Sequence, residues 1–161
     1  MKTLARDHAG LDVLPYTECL RLLAEAPLGR ISFMIDGDVV IIPVNHGLDG
    51  ASVVFRTATG SKLRVASDAG VVAFEIDGYD WETISGFSVL VTGRAEQVLD
   101  DAEIARLEQL DVRPGLVGAD RPFWMRIHAD GITVSTSSAD GRSAVADRTG
   151  PTASFGWAVR P

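Results

Sequence analysis

The spacing of apolar positions changes along the chain, and each change marks an element. Tyr16, Cys19, Leu20 and Leu23 fall at i, i+3, i+4 and i+7, which is one stripe of a helix. Pro15 fits the first turn, where a missing N–H is harmless, and Pro27 marks the end. The pattern then shortens. "GRISFMIDGDVVIIPVNHGLDGASVVFRT" predicts three strands joined by turns at Asp36-Gly37 and Asp49-Gly50, because glycine accepts the positive φ of a tight hairpin turn. Pro43 cannot donate to a ladder, so its stretch belongs at a sheet edge or a bulge. "TGSKLRVASDAG" predicts a helical turn, "VVAFEID" from Val71 a strand, and "GFSVLVTGRAEQV" from Gly86 another. "DDAEIARLEQL" predicts a helix capped by Asp100 or Asp101, with Ile104, Leu107 and Leu110 on its apolar side. "DVRPGLVGADRP" is a loop. "FWMRIHADGITVSTS" supplies one or two last strands, with a bend at Asp130-Gly131.

Sequential strands without βαβ alternation predict an antiparallel sheet curled into a small barrel with peripheral helices. Residues 1–13 read as a loose arm. Residues 138–161, rich in Gly, Ala, Ser, Asp and Arg, read as a weakly ordered tail in which Phe155 and Trp157 are the candidate anchors. The fold domain is then residues 1–137.

Composition narrows the function. The net charge of -7 argues against nucleic acid, whose phosphates need Lys and Arg to neutralise them. No apolar run approaches bilayer-spanning length, and the N-terminus lacks the apolar core of a signal peptide, so no membrane role and a cytoplasmic location are expected. Cys19 is the one cysteine, which excludes an intrachain disulfide and a thiolate zinc site. No metal ligand set is expected.

Within this acidic chain, "VVFRTATGSKL" gathers Arg56, Thr57, Ser61 and Lys62. Arg56 and Thr57 point to opposite faces of a strand, but a bend at "TATG" brings N–H groups and hydroxyls round one point. N–H groups at a helix start, a hydroxyl and two cations suit a phosphate; solvated charges on a surface turn are the plainer alternative. A nucleotide P-loop is excluded, because no glycine stands five residues before Gly60, and no G-x-G-x-x-G opens a βαβ unit.

The elements "LGRISF", "IIPVNHGLDGASVVFRTATGSKL", "VVAFEID", "GFSVLVTGRAEQV" and "WMRI", in this order, resemble the pyridoxamine 5'-phosphate oxidase-like, FMN-binding split-barrel family, closest to its small actinobacterial-type members. The resemblance covers residues 11–135. It implies a mainly β fold, a six-stranded antiparallel Greek-key split barrel, forming a homodimer with FMN in a groove between subunits. Arg56, Ser61 and Lys62 would hold the flavin phosphate, with Thr57 nearby. Pro43, Val44 and Asn45 would run past the isoalloxazine, and Phe87 and Ser88 would reach it from the partner subunit. Ser88 stands where true pyridoxamine phosphate oxidases carry a Gln. "GR" at Gly141-Arg142 is displaced from the family's usual close, and the Arg and His that hold the substrate phosphate are not recognisable. That argues against the vitamin B6 reaction. Arg56 stands where nitroimidazole-linked relatives carry a His, which argues against that branch.

The resemblance therefore points to an FMN-dependent oxidoreductase acting on a small-molecule substrate or electron donor, with no catalytic side chain assigned. The deazaflavin coenzyme is an alternative cofactor. A non-catalytic flavin- or haem-binding protein is an alternative class, with haem the lesser of the two ligands, and a cofactor-free interaction domain is a third. Outside the cluster, Cys19 reads as core and Trp124 as barrel or dimer packing. Trp81, in the polar "DGYDWET" loop, reads as a ligand-facing or subunit-facing contact. His8, His46 and His128 show no metal spacing. His46 faces either cofactor or solvent, solvent being the plainer reading. Glu75 and Asp77 share one strand face at a barrel mouth or interface, with no support for glycosidase chemistry.

Overall fold

In the computed structural model, residues 15–58, 71–112, 122–137 and, as backbone, 143–149 are described. The chain opens with α1 (Tyr16–Glu25), then β1 (Gly29–Ile35), β2 (Asp38–Val44), β3 (His46–Asp49) and β4 (Ser52–Thr57). After them come β5 (Val71–Asp80), β6 (Ser85–Gln97), α2 (Asp101–Leu107), β7 (Phe123–Ser137) and β8 (Ser143–Thr149).

Pro15 sits at the N-cap of α1 rather than inside its first turn, and its carbonyl accepts from Glu18 and Cys19 N–H. The stripe predicted for α1 is the side it buries, through Cys19 and Leu23. The β1–β2 turn has positive φ at both Asp36 (52°) and Gly37 (87°), the primed geometry that matches strand twist. Asp49 stays in β3, so the second tight loop is Gly50-Ala51, with φ of 64° at Gly50.

All the strand pairs are antiparallel, and the hydrogen-bonded path runs β2-β1-β5-β6-β7-β4-β3. The ends of that path, β2 and β3, are consecutive in the chain with only Asn45 between them. Chain continuity therefore brings the two outer strands of the sheet together and curls it into a barrel with a seam at Asn45. β5, β6 and β7 form a meander and β4 returns beside β7, which is a Greek key. Pro43 is accommodated because β2 has a ladder partner on one side only, β1.

The architecture is the mainly β, antiparallel split barrel expected, with a different strand count. The described residues hold an 8-stranded sheet. The run expected as one strand from Asp38 to Asp49 breaks at Asn45 into β2 and β3. Ser143–Thr149, expected as tail, instead pairs with β7 as β8. The expected bend at Asp130-Gly131 is a bulge within one continuous strand: Gly131 faces Thr92 and Ala129 faces Gly93, leaving Asp130 extra.

Two cores result. Inside the barrel, Ile31, Phe33, Val53, Phe55, Phe74, Val89, Val91, Met125 and Ile127 pack under α1. Outside it, α2 covers β4 and β7 through Val54, Val98, Leu107, Val112 and Trp124. Burying an aliphatic side chain contributes roughly 1.5–3 kcal/mol, so these two layers hold the barrel rigid beneath its exposed surfaces.

Candidate functional site

Strand alternation divides the expected site residues between two surfaces of the sheet. On β1, Ile31 and Phe33 point inward while Arg30 and Met34 are exposed. Register then places Pro43 of β2 opposite Arg30, Arg30 opposite Glu75 of β5, and Asp77 opposite Ser88 of β6. Side chains of one parity form a row across four neighbouring strands. Arg30 Nη1 donates to Asp77 Oδ1 at 2.5 Å and to Glu75 Oε2 at 3.4 Å, and Ser88 Oγ donates to Glu75 Oε1 at 3.0 Å. The Asp77 carboxylate, ahead of Glu75, raises the guanidinium's pKa and keeps it charged.

Phe87 points the other way, toward the barrel and α1. It lines a cleft of about 370 Å³ whose apolar walls are Leu22, Ala26, Pro27 and Leu28. Glu25, Arg30 and Asp77 supply the polar groups of that cleft. Phe87 packs so closely on Gly78 that a Cβ there would lie 2.5 Å from its ring. Of the ring-contact residues expected from the sequence, the structure thus brings Pro43, Phe87 and Ser88 around Arg30. Val44 is buried in the barrel, and Asn45 is half-buried at the seam.

Arg56 and Thr57 end β4 on opposite faces, as alternation requires. Arg56 lies 5.6 Å from the Trp124 ring on the α2 side, and Thr57 is buried. Ser61 and Lys62 lie outside the described residues, as does the helical turn expected around them, so the assembled phosphate cluster is not part of this description.

Other expectations sort by burial. Cys19 is core, where burial pushes its thiol pKa up. Trp124 belongs to the α2 core. Trp81 is 84% exposed at the tip of the β5–β6 hairpin, edge-on to Tyr79. His46 corrects both readings offered for it. It is buried, its Nε2 lies 2.8 Å from the Leu23 carbonyl, and its ring meets Phe74 edge-on. It fastens α1 to the barrel. His128 is exposed and bonded to Glu96. His8 and Trp157 lie outside the described residues.

Sequence reasoning missed Arg30. The signal was weak: an arginine between the buried Gly29 and Ile31 of a strand, beside a Pro-containing edge strand, whose carboxylate partners lie 45 and 47 residues away. It also missed the apolar character of the outward sheet surface. Met34, Val39, Ile41 and Val71 are each 62–67% exposed, and Leu90 is 37% exposed. Register joins them: Met34 faces Val39, Ser32 faces both Ile41 and Ala73, and Leu90 faces Glu75.

A Greek-key split barrel whose outward sheet runs into a cleft beside its first helix defines the class of protein. The sequence matches the model of the pyridoxamine 5'-phosphate oxidase family over residues 15–146, and the chain belongs to that family. An uncharacterized protein of Mycobacterium tuberculosis is 41% identical over 98 residues, which is 58% of this chain and 64% of that protein. The chain thus spans less than two thirds of that curated relative. The structure of an FAD binding protein from Mycobacterium smegmatis is 34% identical, with a TM-score of 0.67 over 78% of this chain and 98% of that one. A heme binding protein from Mycobacterium smegmatis shares the fold at 18% identity, with a TM-score of 0.64 over 85% of this chain and 59% of that one. Among the described residues, no helix is long and apolar enough to cross a membrane.

Proposed function

We propose that the chain is a homodimeric, cytoplasmic flavoprotein that holds FMN between two copies and serves as an oxidoreductase on a small-molecule substrate. The observation that carries this reading is the cleft in which Phe87 and Arg30 meet, with Pro43 and Ser88 on the outward strand row that runs through Arg30 beside an apolar sheet surface. Family membership and the 34%-identical FAD binding protein support a flavin as the ligand.

The residues present fit such a group. Phe87 and the α1–β1 connection offer an apolar wall for an aromatic ring, and Arg30 offers a cation at its edge. Bound flavin would supply two-electron transfer through its N5 position, which is the cofactor's own chemistry. The chain's residues would bind, orient and dry it. In this reading Pro43 would run past the ring, and Phe87 would exclude water from it. Arg56, Ser61 and Lys62 would hold the phosphate by charge-assisted bonds, with Thr57 nearby. No side chain in the cleft is assigned proton transfer. The deazaflavin coenzyme would use the same phosphate residues. That the arginine and histidine with which true pyridoxamine phosphate oxidases hold their substrate phosphate are not recognisable in the sequence favours a second reading, a flavin-storing or flavin-sensing protein.

An absorption spectrum of the purified protein tests the proposal. Bands near ~375 and ~450 nm, with FMN identified by mass after heat release, are expected of a flavoprotein. A single band near ~420 nm points to the deazaflavin coenzyme or haem, which mass separates. A colourless protein that also fails to take up added FMN or deazaflavin sinks the oxidoreductase reading. Rapid reduction of the bound flavin by NADPH, then reoxidation by an electron acceptor, excludes the storage reading. Arg56→Ala and Lys62→Ala should each weaken, without abolishing, FMN binding, by about 1–3 kcal/mol, the scale of a lost charge-assisted bond. Wild-type affinity by fluorescence titration in both variants contradicts the phosphate assignment.

A further inference from the structure

Among the described residues Arg30 is the one cation lining the cleft, and it is anchored asymmetrically. Both of its hydrogen bonds leave from Nη1, to Asp77 and Glu75. Its Nε and Nη2 donate to nothing among the described residues. A guanidinium is a rigid planar fork, so fixing one corner fixes the direction of the Nε–Nη2 edge. Ser88 donates to Glu75 and so helps hold that carboxylate in place. An ordinary surface ion pair contributes little and needs no such support. Here two carboxylates and a hydroxyl on two strands hold one corner of the guanidinium and leave its Nε–Nη2 edge without a partner among the described residues, on an arginine that lines the cleft with Phe87 and faces Pro43 across the ladder. A planar ring with two adjacent acceptor atoms is the chemical complement of that edge.

We propose that Arg30, oriented by Asp77 and Glu75, is the cation that meets the N1–C2=O edge of the flavin and sets its reduction potential. The inference rests on the flavin reading above. That ring edge becomes more electron-rich on two-electron reduction, so a fixed guanidinium there favours the reduced over the oxidised cofactor. Polar groups aimed at the place where charge develops are most effective when they need not reorganise, and the carboxylate anchors provide that.

The test is a spectroelectrochemical titration of the FMN-loaded full chain, in wild type, Arg30→Gln and Arg30→Lys. Arg30 is exposed, so the variants should fold, and circular dichroism checks this. In Arg30→Gln the preference for reduced over oxidised FMN should fall about tenfold, a drop of about 30 mV in the two-electron potential. Arg30→Lys keeps the charge but loses the fork, and should recover part of that drop. Three results overturn the inference alone: an unchanged potential in Arg30→Gln, equal weakening of both oxidation states, or Arg30→Lys no better than Arg30→Gln. A wild type that takes up no FMN overturns the flavin reading and this inference with it.

Discussion

His46 shows how a side chain can be read correctly as a strand residue and still be misplaced. Its position at the start of β3 was legible, but its environment was not, because that depends on α1 lying across the barrel. The Leu23 carbonyl accepts from Nε2–H in the neutral imidazole. Burial lowers the pKa of His46 below its ordinary 6.5, with the Leu23 bond opposing. The unfolded chain therefore takes up the proton first as pH falls. Stability from this group is complete above about pH 6.5 and declines as pH drops below it. Thermal melts between pH 8 and pH 5.5 should show a falling Tm in wild type and a shallower fall in His46→Gln. Parallel profiles would show that His46 does not titrate on unfolding. Arg30 escaped notice for a related reason: its partners are set by the β1–β5 register, which sequence spacing does not display. Cys19, by contrast, was legible, since helical periodicity alone puts it on the buried stripe.

Elements were legible where a local signal and the tertiary demand agreed. The two Asp-Gly hairpins, the edge position of Pro43 and the Asp100 cap all belong to this group. Asp100 accepts from the Glu103 N–H at 2.8 Å, and α2 is only 7 residues long. A helix so short is not stable alone and is held by what it packs on. Part of that hold is polar: Arg126 donates to Asp49 at 2.6 Å and to Glu103 at 3.0 Å, while Arg106 also bonds Asp49. The Arg126 side chain is 9% exposed and that of Arg106 is 55% exposed. Solvent screens the second far more than the first. Arg126→Ala should cost about 2–3 kcal/mol by urea denaturation, and Arg106→Ala clearly less. Equal costs would mean that burial does not govern the network. The break the sequence hid, at Asn45, is tertiary in origin because it closes the barrel; the bend it did mark, at Asp130-Gly131, is a bulge in a strand that serves β4 at one end and β8 at the other.

At the scale of the molecule, closure at Asn45 leaves the β2-β1-β5-β6 surface as the large uncovered feature among the described residues, and its apolar residues face outward. α1 lies on the inner core and α2 on the β4–β7 side, so neither covers it. The alternation of "ISFMI" and "VVIIPV" gave no warning, because both parities are apolar and nothing in the pattern says which one water meets. Contiguous exposed aliphatic surface of this kind marks an interaction site, and a closed two-fold pair buries the same patch on both partners. If that surface joins the two copies of the proposed homodimer, Ile41→Glu places a carboxylate on each side of the contact. Light scattering after size exclusion should then show wild type as a dimer and Ile41→Glu as a monomer with an unchanged circular dichroism spectrum. FMN held between subunits should be lost with the dimer, whereas Lys62→Ala should bind FMN more weakly and remain dimeric. A dimeric Ile41→Glu would move the subunit contact elsewhere on the barrel. A monomeric variant that keeps its FMN would place the flavin within one chain, and Phe87 and Ser88 would then have to meet it from the same subunit as Pro43.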